Sequence, residues 1–140
     1  MKPSDWGPHL WNSLHIIALG YPETSPSWQQ RFNYKSHFTN FGNILPCIKC
    51  SINFKRHMDE LPIDGYLDSR AKLFEWTVLL HNIVNKESKK KEWTVDEAHA
   101  SIRSIMHKND GNGNGTILAW FNVVLVVIVV FLVVYFRRRI

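Results

Sequence analysis

Apolar residues recur along this chain at three- and four-residue intervals, and nowhere alternate for long enough to make a strand. The first such run, from about Trp6 to Leu19, puts Leu10, Trp11, Leu14, Ile17 and Ala18 on one face. Ser4 or Asp5 is its expected cap, with Pro8 tolerated in the opening turn. A second helix is expected from Pro26, behind Ser25, to about Asn43, carrying Trp28, Phe32, Phe38 and Phe41. A third begins at Pro46 and includes Phe54 and Met58, and Pro62 and Gly65 then mark a turn. The fourth, about Ser69 to Lys86, spaces Leu73, Trp76, Leu80 and Val84 for one face. The fifth opens on a capping box, Thr94-Val95-Asp96-Glu97, ahead of Ala98, Ile102, Ile105 and Met106. Helices of this length with short connections predict an all-α fold: a four-helix bundle plus a short fifth helix, over residues 1–107.

The pattern then changes twice. Residues 108–116, KNDGNGNGT, are too rich in Gly and Asn to favour a helix and read as a flexible linker. Residues 117–136 are uncharged and carry one polar side chain, Asn122. Twenty helical residues span roughly 30 Å, the thickness of a bilayer's hydrocarbon core, so a C-terminal transmembrane helix is expected. Trp120 and Tyr135 stand near its ends, where interfacial aromatics belong. A basic tail, residues 137–140, follows. So short a tail predicts a single-pass protein anchored after synthesis, with its domain facing the cytosol, although Arg137–Arg139 by themselves favour the cytosolic side.

The net charge of +5 is local in origin. Of 17 Lys and Arg, three are Arg137–Arg139, which leaves 14 against 12 acidic residues in the rest of the chain. Lys86–Lys91 is basic but lacks the interleaved aromatics of a single-strand binder, so no nucleic-acid partner is expected.

Chemistry concentrates at Cys47-Ile48-Lys49-Cys50, which holds both cysteines of the chain. Following Pro46, Cys47 falls in the opening turn of a helix, where free N–H groups and the dipole favour a thiolate. Cys50, one turn on, shares that face and is expected to be the more shielded. The pair suits dithiol–disulfide exchange, but zinc ligation or plain packing would use the same two residues. No metal site is expected, because a second ligand pair is missing; only His57 lies close by. A redox pair needs an electron acceptor, which implies an organic cofactor. On the fourth helix His81 and Asn85 share a face with Asn82 beside them, and on the first His15 follows Trp11 by one turn. Two histidine–aromatic pairs suggest a pocket for a planar heterocycle, with the lysines after Asn85 near a pyrophosphate.

These segments together resemble the Erv/ALR family of flavin-linked sulfhydryl oxidases. Trp6-Gly7-Pro8-His9-Leu10-Trp11, Leu14-His15, Ala18 and Tyr21-Pro22 resemble its opening helix. Leu45-Pro46-Cys47-Ile48-Lys49-Cys50 is similar to its active-site motif, and Ser69-Arg70, Leu73, Trp76 and His81-Asn82-Ile83-Val84-Asn85 to its flavin-binding helix. The likeness runs from about residue 4 to 107 and is closest to the compact forms of large cytoplasmic DNA viruses. It implies non-covalent FAD, lined by Gly7, Trp11, His15, His81, Asn82, Val84 and Asn85, with Trp93 near the adenine and Lys90 at the diphosphate. It implies Cys50 as the flavin-proximal thiol and Cys47 as the thiol that substrate attacks, with O₂ as final acceptor. A homodimer is implied too, and a host cytoplasmic or virion membrane as location. The distal shuttle cysteines of some relatives are missing, so electrons are expected directly from a small thioredoxin-like or CxxC protein. The other reading, from a different class, is a non-enzymatic membrane-anchored adaptor with a zinc-binding or structural CxxC.

Overall fold

A computed structural model describes the backbone of residues 2–137 and the side chains of 2–107, 120–126, 128 and 135. Five α-helices follow one another: α1 (Pro3–Leu19), α2 (Trp28–Phe41), α3 (Ile48–Glu60), α4 (Arg70–Glu87) and α5 (Val95–Arg137). Short 3₁₀ turns, Gly42–Ile44 and Ile63–Tyr66, lead out of α2 and into α4, and no strand occurs among the described residues. The chain divides into two compact units, Met1–Ile102 and Arg103–Ile140.

Within the first unit the expected helices are present, with shifted ends. The first starts at Pro3, because the Asp5 carboxylate accepts the Lys2 N–H at 3.3 Å and holds an extra turn. Pro8 therefore sits inside α1, past the opening turn. Ser27, not Ser25, caps α2: its hydroxyl accepts the Gln30 N–H at 3.2 Å while Gln30 Oε1 accepts the Ser27 N–H at 2.8 Å. Ser69 caps α4, and the expected box at Thr94 forms, with bonds of 3.2 and 2.9 Å between Thr94 and Glu97.

The core gathers much of the predicted faces, but Trp28 and Phe32 of α2 and Met106 of α5 stay exposed. Leu14, Ala18, Phe38, Leu73, Trp76, Leu80 and Ala98 are all buried, and Phe38 meets Trp76 edge-on at 5.2 Å. Two polar atoms of core side chains are matched: Trp76 Nε1–H donates to the Leu61 carbonyl at 3.0 Å and the Tyr21 hydroxyl to Leu67 at 2.9 Å. Trp6 Nε1 and His57 Nδ1 are buried without a partner among the described residues. Gly42 lets the turn after α2 close onto α3, since a Cβ there would come within 2.9 Å of the Phe54 ring. That contact seats the helix that carries the cysteines.

The end of α4 bears on the site. Lys89 N–H bonds the Lys86 carbonyl at 3.1 Å and Lys90 N–H the Asn85 carbonyl at 2.8 Å, the two bonds of a Schellman cap. The residue that turns the chain, Lys89, has φ 55°, a left-handed conformation that glycine adopts at less cost. Lys89→Gly is expected to raise stability by about 1 kcal/mol, measured as a higher thermal midpoint.

The fifth helix is longer than expected. Backbone helix runs without a break from Val95 to Arg137, and no proline interrupts that stretch of sequence. Among the described residues no helix is long and apolar enough to cross a membrane. The side chains of 108–119 and of most of 127–137 lie outside the described residues; the linker reading falls on the first of these segments, and of the expected span 117–136 only the side chains of 120–126, 128 and 135 are described.

Candidate functional site

Helix α3 begins at the cysteine pair. Cys47 is its N-cap, one residue after the predicted start, and Cys47 Sγ accepts the Cys50 N–H at 3.2 Å. A sulfur thus takes the place of the usual cap oxygen, and the helix's free donors favour negative charge on it. The two cysteines form a disulfide, with Cα atoms 5.1 Å apart. Both are half-buried, so the expected difference in shielding between them is not found. Phe54, one turn on, does point into the core. Ile44, Ile48 and Ile52, within about a turn of the pair along the chain, are 76%, 83% and 63% exposed.

A second constellation joins α1, α4 and the turn before α5. The Trp11 and His81 rings stack nearly parallel, 5° apart in plane with centroids at 4.2 Å. His15 Nε2 lies 3.2 Å from His81 Nδ1, and His15 Nδ1 is 2.8 Å from the Thr77 hydroxyl. Trp93 approaches the His81 ring at 6.2 Å. Asn82 holds it there by clasping the Trp93 backbone, with Nδ2–H to the carbonyl and Oδ1 from the N–H, both 2.8 Å. Burial, then the neighbouring His81 and His99, pushes His15 down to about 4; burial, then Lys90, pushes His81 down to about 4. Both rings are neutral at physiological pH.

A linkage effect follows. The unfolded chain binds protons at these histidines near pH 6.5 while the folded one does not until about pH 4. Stability from this source is complete above pH 6.5 and is lost as pH falls from there toward 4. The ceiling is about 3 kcal/mol per histidine. Urea denaturation at steps between pH 7 and 4 is expected to show the decline, and His81→Gln to reduce it.

Gly7, Trp11 and His15 follow one another at four-residue intervals on α1. Apart from its chain neighbours and its own helical turn, no described atom lies within 4 Å of where a Gly7 Cβ would stand. A half-exposed ledge of neutral planar rings, an open glycine beside it and the Lys90 charge near His81 fit a planar heterocycle with an anionic tail. Asn85 and Val84 continue the face of α4 below His81, Asn85 being buried. A separate shallow depression of about 470 Å³, lined by Asn33, Ser36, His37, Asn40, Phe41 and Ile44, contains none of the predicted residues.

Three contributors went unmarked by the sequence. Thr77 precedes His81 by one turn, a spacing that could have revealed it. His99 stacks on Phe74 at 3.9 Å. Glu87 ties α4 to α3, accepting from Arg56 at 2.6 Å and meeting His57 Nε2 at 3.1 Å; the Arg56 bond, then the His57 bond, hold its carboxyl below the usual range.

The Erv1 / Alr family model matches residues 8–105, which include the redox pair and the ring cluster. The chain belongs to the Erv1/Alr family. Among curated Erv1/Alr relatives, an Acanthamoeba polyphaga mimivirus protein named a probable FAD-linked sulfhydryl oxidase is 37% identical over 107 residues. That match takes in 76% of this chain and 74% of the relative. The FAD-linked sulfhydryl oxidase of African swine fever virus is 29% identical over 86 residues, 61% of this chain and 70% of its own. The crystallised FAD binding domain of Erv1 from Saccharomyces cerevisiae superposes with a TM-score of 0.67 at 28% identity. It covers 74% of this chain and 96% of that domain. The Erv1/Alr fold was thus legible from the helix pattern and the motifs together.

Proposed function

We infer that Cys47 receives electrons from a protein dithiol and that Cys50 faces the cofactor. The chain is an FAD-dependent thiol oxidase: two thiols and O₂ give one disulfide and hydrogen peroxide. One observation carries the route, the Cys47–Cys50 disulfide at the N-terminus of α3 in a chain with no other cysteine.

A substrate thiolate attacks Cys47 Sγ, the S–S bond breaks, and Cys50 leaves as a thiolate. The second substrate thiol, losing its proton, attacks its partner sulfur in the mixed disulfide and expels Cys47. The Cys50 N–H and the helix N-terminus support the charge on Cys47 as it departs, which favours that step. The substrate is now a disulfide, and the pair holds two electrons. Bound FAD would supply the two-electron acceptor for the reduced cysteines, with O₂ as the final acceptor. Gly7, Trp11, His15, His81, Val84, Asn85 and Lys90 would hold it, with Trp93 kept in place by Asn82. Among the described residues no group of three or more His, Cys, Asp or Glu could hold a metal ion, so the zinc-binding adaptor reading draws no support from them.

The substrate is a polypeptide dithiol, a small thioredoxin-like or CxxC protein, and the exposed isoleucines beside Cys47 give its backbone an apolar surface to rest on. Trp28 and Phe32 stack on the outside of α2 while 73% and 53% exposed, which supports a packed homodimer. Residues 117–136 anchor the chain in a membrane, with the domain on the cytosolic side of a host or virion membrane; their uncharged sequence supports this.

Purified full-length protein supplied with FAD is expected to be yellow and to consume O₂ with dithiothreitol, releasing peroxide. Colourless protein that consumes no O₂ would overturn the assignment.

A further inference from the structure

The histidine pair has a direction. Thr77 Oγ1 lies 2.7 Å from the Phe74 carbonyl oxygen. A carbonyl has no proton to give, so the hydroxyl proton occupies that contact. Toward His15 Nδ1, 2.8 Å away, Thr77 is then an acceptor, and His15 must carry its proton on Nδ1. A neutral His15 with Nδ1–H has a bare Nε2. Its 3.2 Å contact with His81 Nδ1 therefore needs the proton of His81. His81, also neutral, is left with a lone pair on Nε2, and that atom makes no hydrogen bond to any described residue. Burial keeps both rings uncharged, and the Trp11 stack fixes the plane in which the lone pair lies.

We propose that Thr77 is a positioning residue: its hydroxyl sets the direction of the Thr77–His15–His81 chain, so that His81 Nε2 presents an acceptor to an N–H or O–H donor of the bound flavin nucleotide. The proposal rests on the flavin reading above but concerns a residue outside the segments that resemble the family's motifs. Thr77 is itself 1% exposed and cannot touch a ligand, so it acts through the two imidazoles. Without the hydroxyl, His15 Nδ1–H would have no acceptor. The pair would then turn its protons around, and His81 would meet the nucleotide as a donor, facing another donor.

Nitrogen NMR of histidine-labelled protein without cofactor reads the protons directly. Both His15 and His81 are expected as Nδ1–H tautomers in the native protein. In Thr77→Val His81 is expected to switch to Nε2–H, and FAD affinity, followed by fluorescence quenching, to fall about tenfold. Thr77→Ser, which keeps the hydroxyl, should restore both. A native His81 in the Nε2–H form overturns the proposal, and this measurement needs no variant to fold. So does a Thr77→Val protein that binds FAD as tightly as the native one. Native protein that binds no FAD would instead refute the flavin reading, while the nitrogen shifts would still decide the direction of the chain.

Discussion

Replacing either cysteine by serine is expected to lower thiol oxidase turnover by about 10³-fold or more, the scale of losing a covalent nucleophile, while the protein stays yellow. The disulfide closes so short a loop that its removal costs about 2 kcal/mol or less, and the core of α1–α4 is untouched. The two variants should differ in one respect. Cys50→Ser leaves the thiol whose charge the helix N-terminus supports. Offered a partner that keeps one cysteine, capped as a disulfide with a small thiol, Cys47 should expel the small thiol and hold the partner as a stable mixed disulfide, seen by mass spectrometry. Cys47→Ser leaves Cys50, which should form no such adduct. Equal trapping by both would reverse or erase the assignment of roles.

Gly7→Leu should separate cofactor binding from folding. The position is helical, and no described atom lies near its missing Cβ. Leucine therefore favours the free protein by roughly 0.5–1 kcal/mol over glycine. In the space beside Trp11 where the ring system would lie, the same side chain should weaken FAD at least about 100-fold. The expected result is thus a higher melting temperature without FAD and a lost stabilisation with it, by thermal denaturation at several FAD concentrations. Unchanged affinity would place the cofactor elsewhere.

What the sequence made legible depended on how local the deciding interaction was. The Thr94–Glu97 box and the apolar face of α4 follow from neighbours within two turns, and both stand where expected. The α3 start was misplaced by two residues, Pro46 against Ile48, because sulfur rarely serves as a cap, and Pro8 because the Asp5–Lys2 bond extends α1 backward. No glycine announced the left-handed turn at Lys89. In the site, Trp11, His15 and His81 could be chosen from spacing and family likeness. Their mutual stacking, the Asn82–Trp93 clasp across eleven residues and the Thr77 hydroxyl needed the helices packed together. The extent of α5 was missed because three glycines weaken a helix by propensity alone, and nothing nearby was a definite stop.

The most direct test of the electron route is an anaerobic titration of the FAD-loaded protein with dithiothreitol, following the flavin's visible absorbance. Native protein should bleach in proportion to the dithiol added, and Cys50→Ser should keep its colour under the same conditions. Bleaching at the native rate without Cys50 would mean that electrons reach the flavin without the disulfide, and would contradict a relay through the cysteine pair at the start of α3.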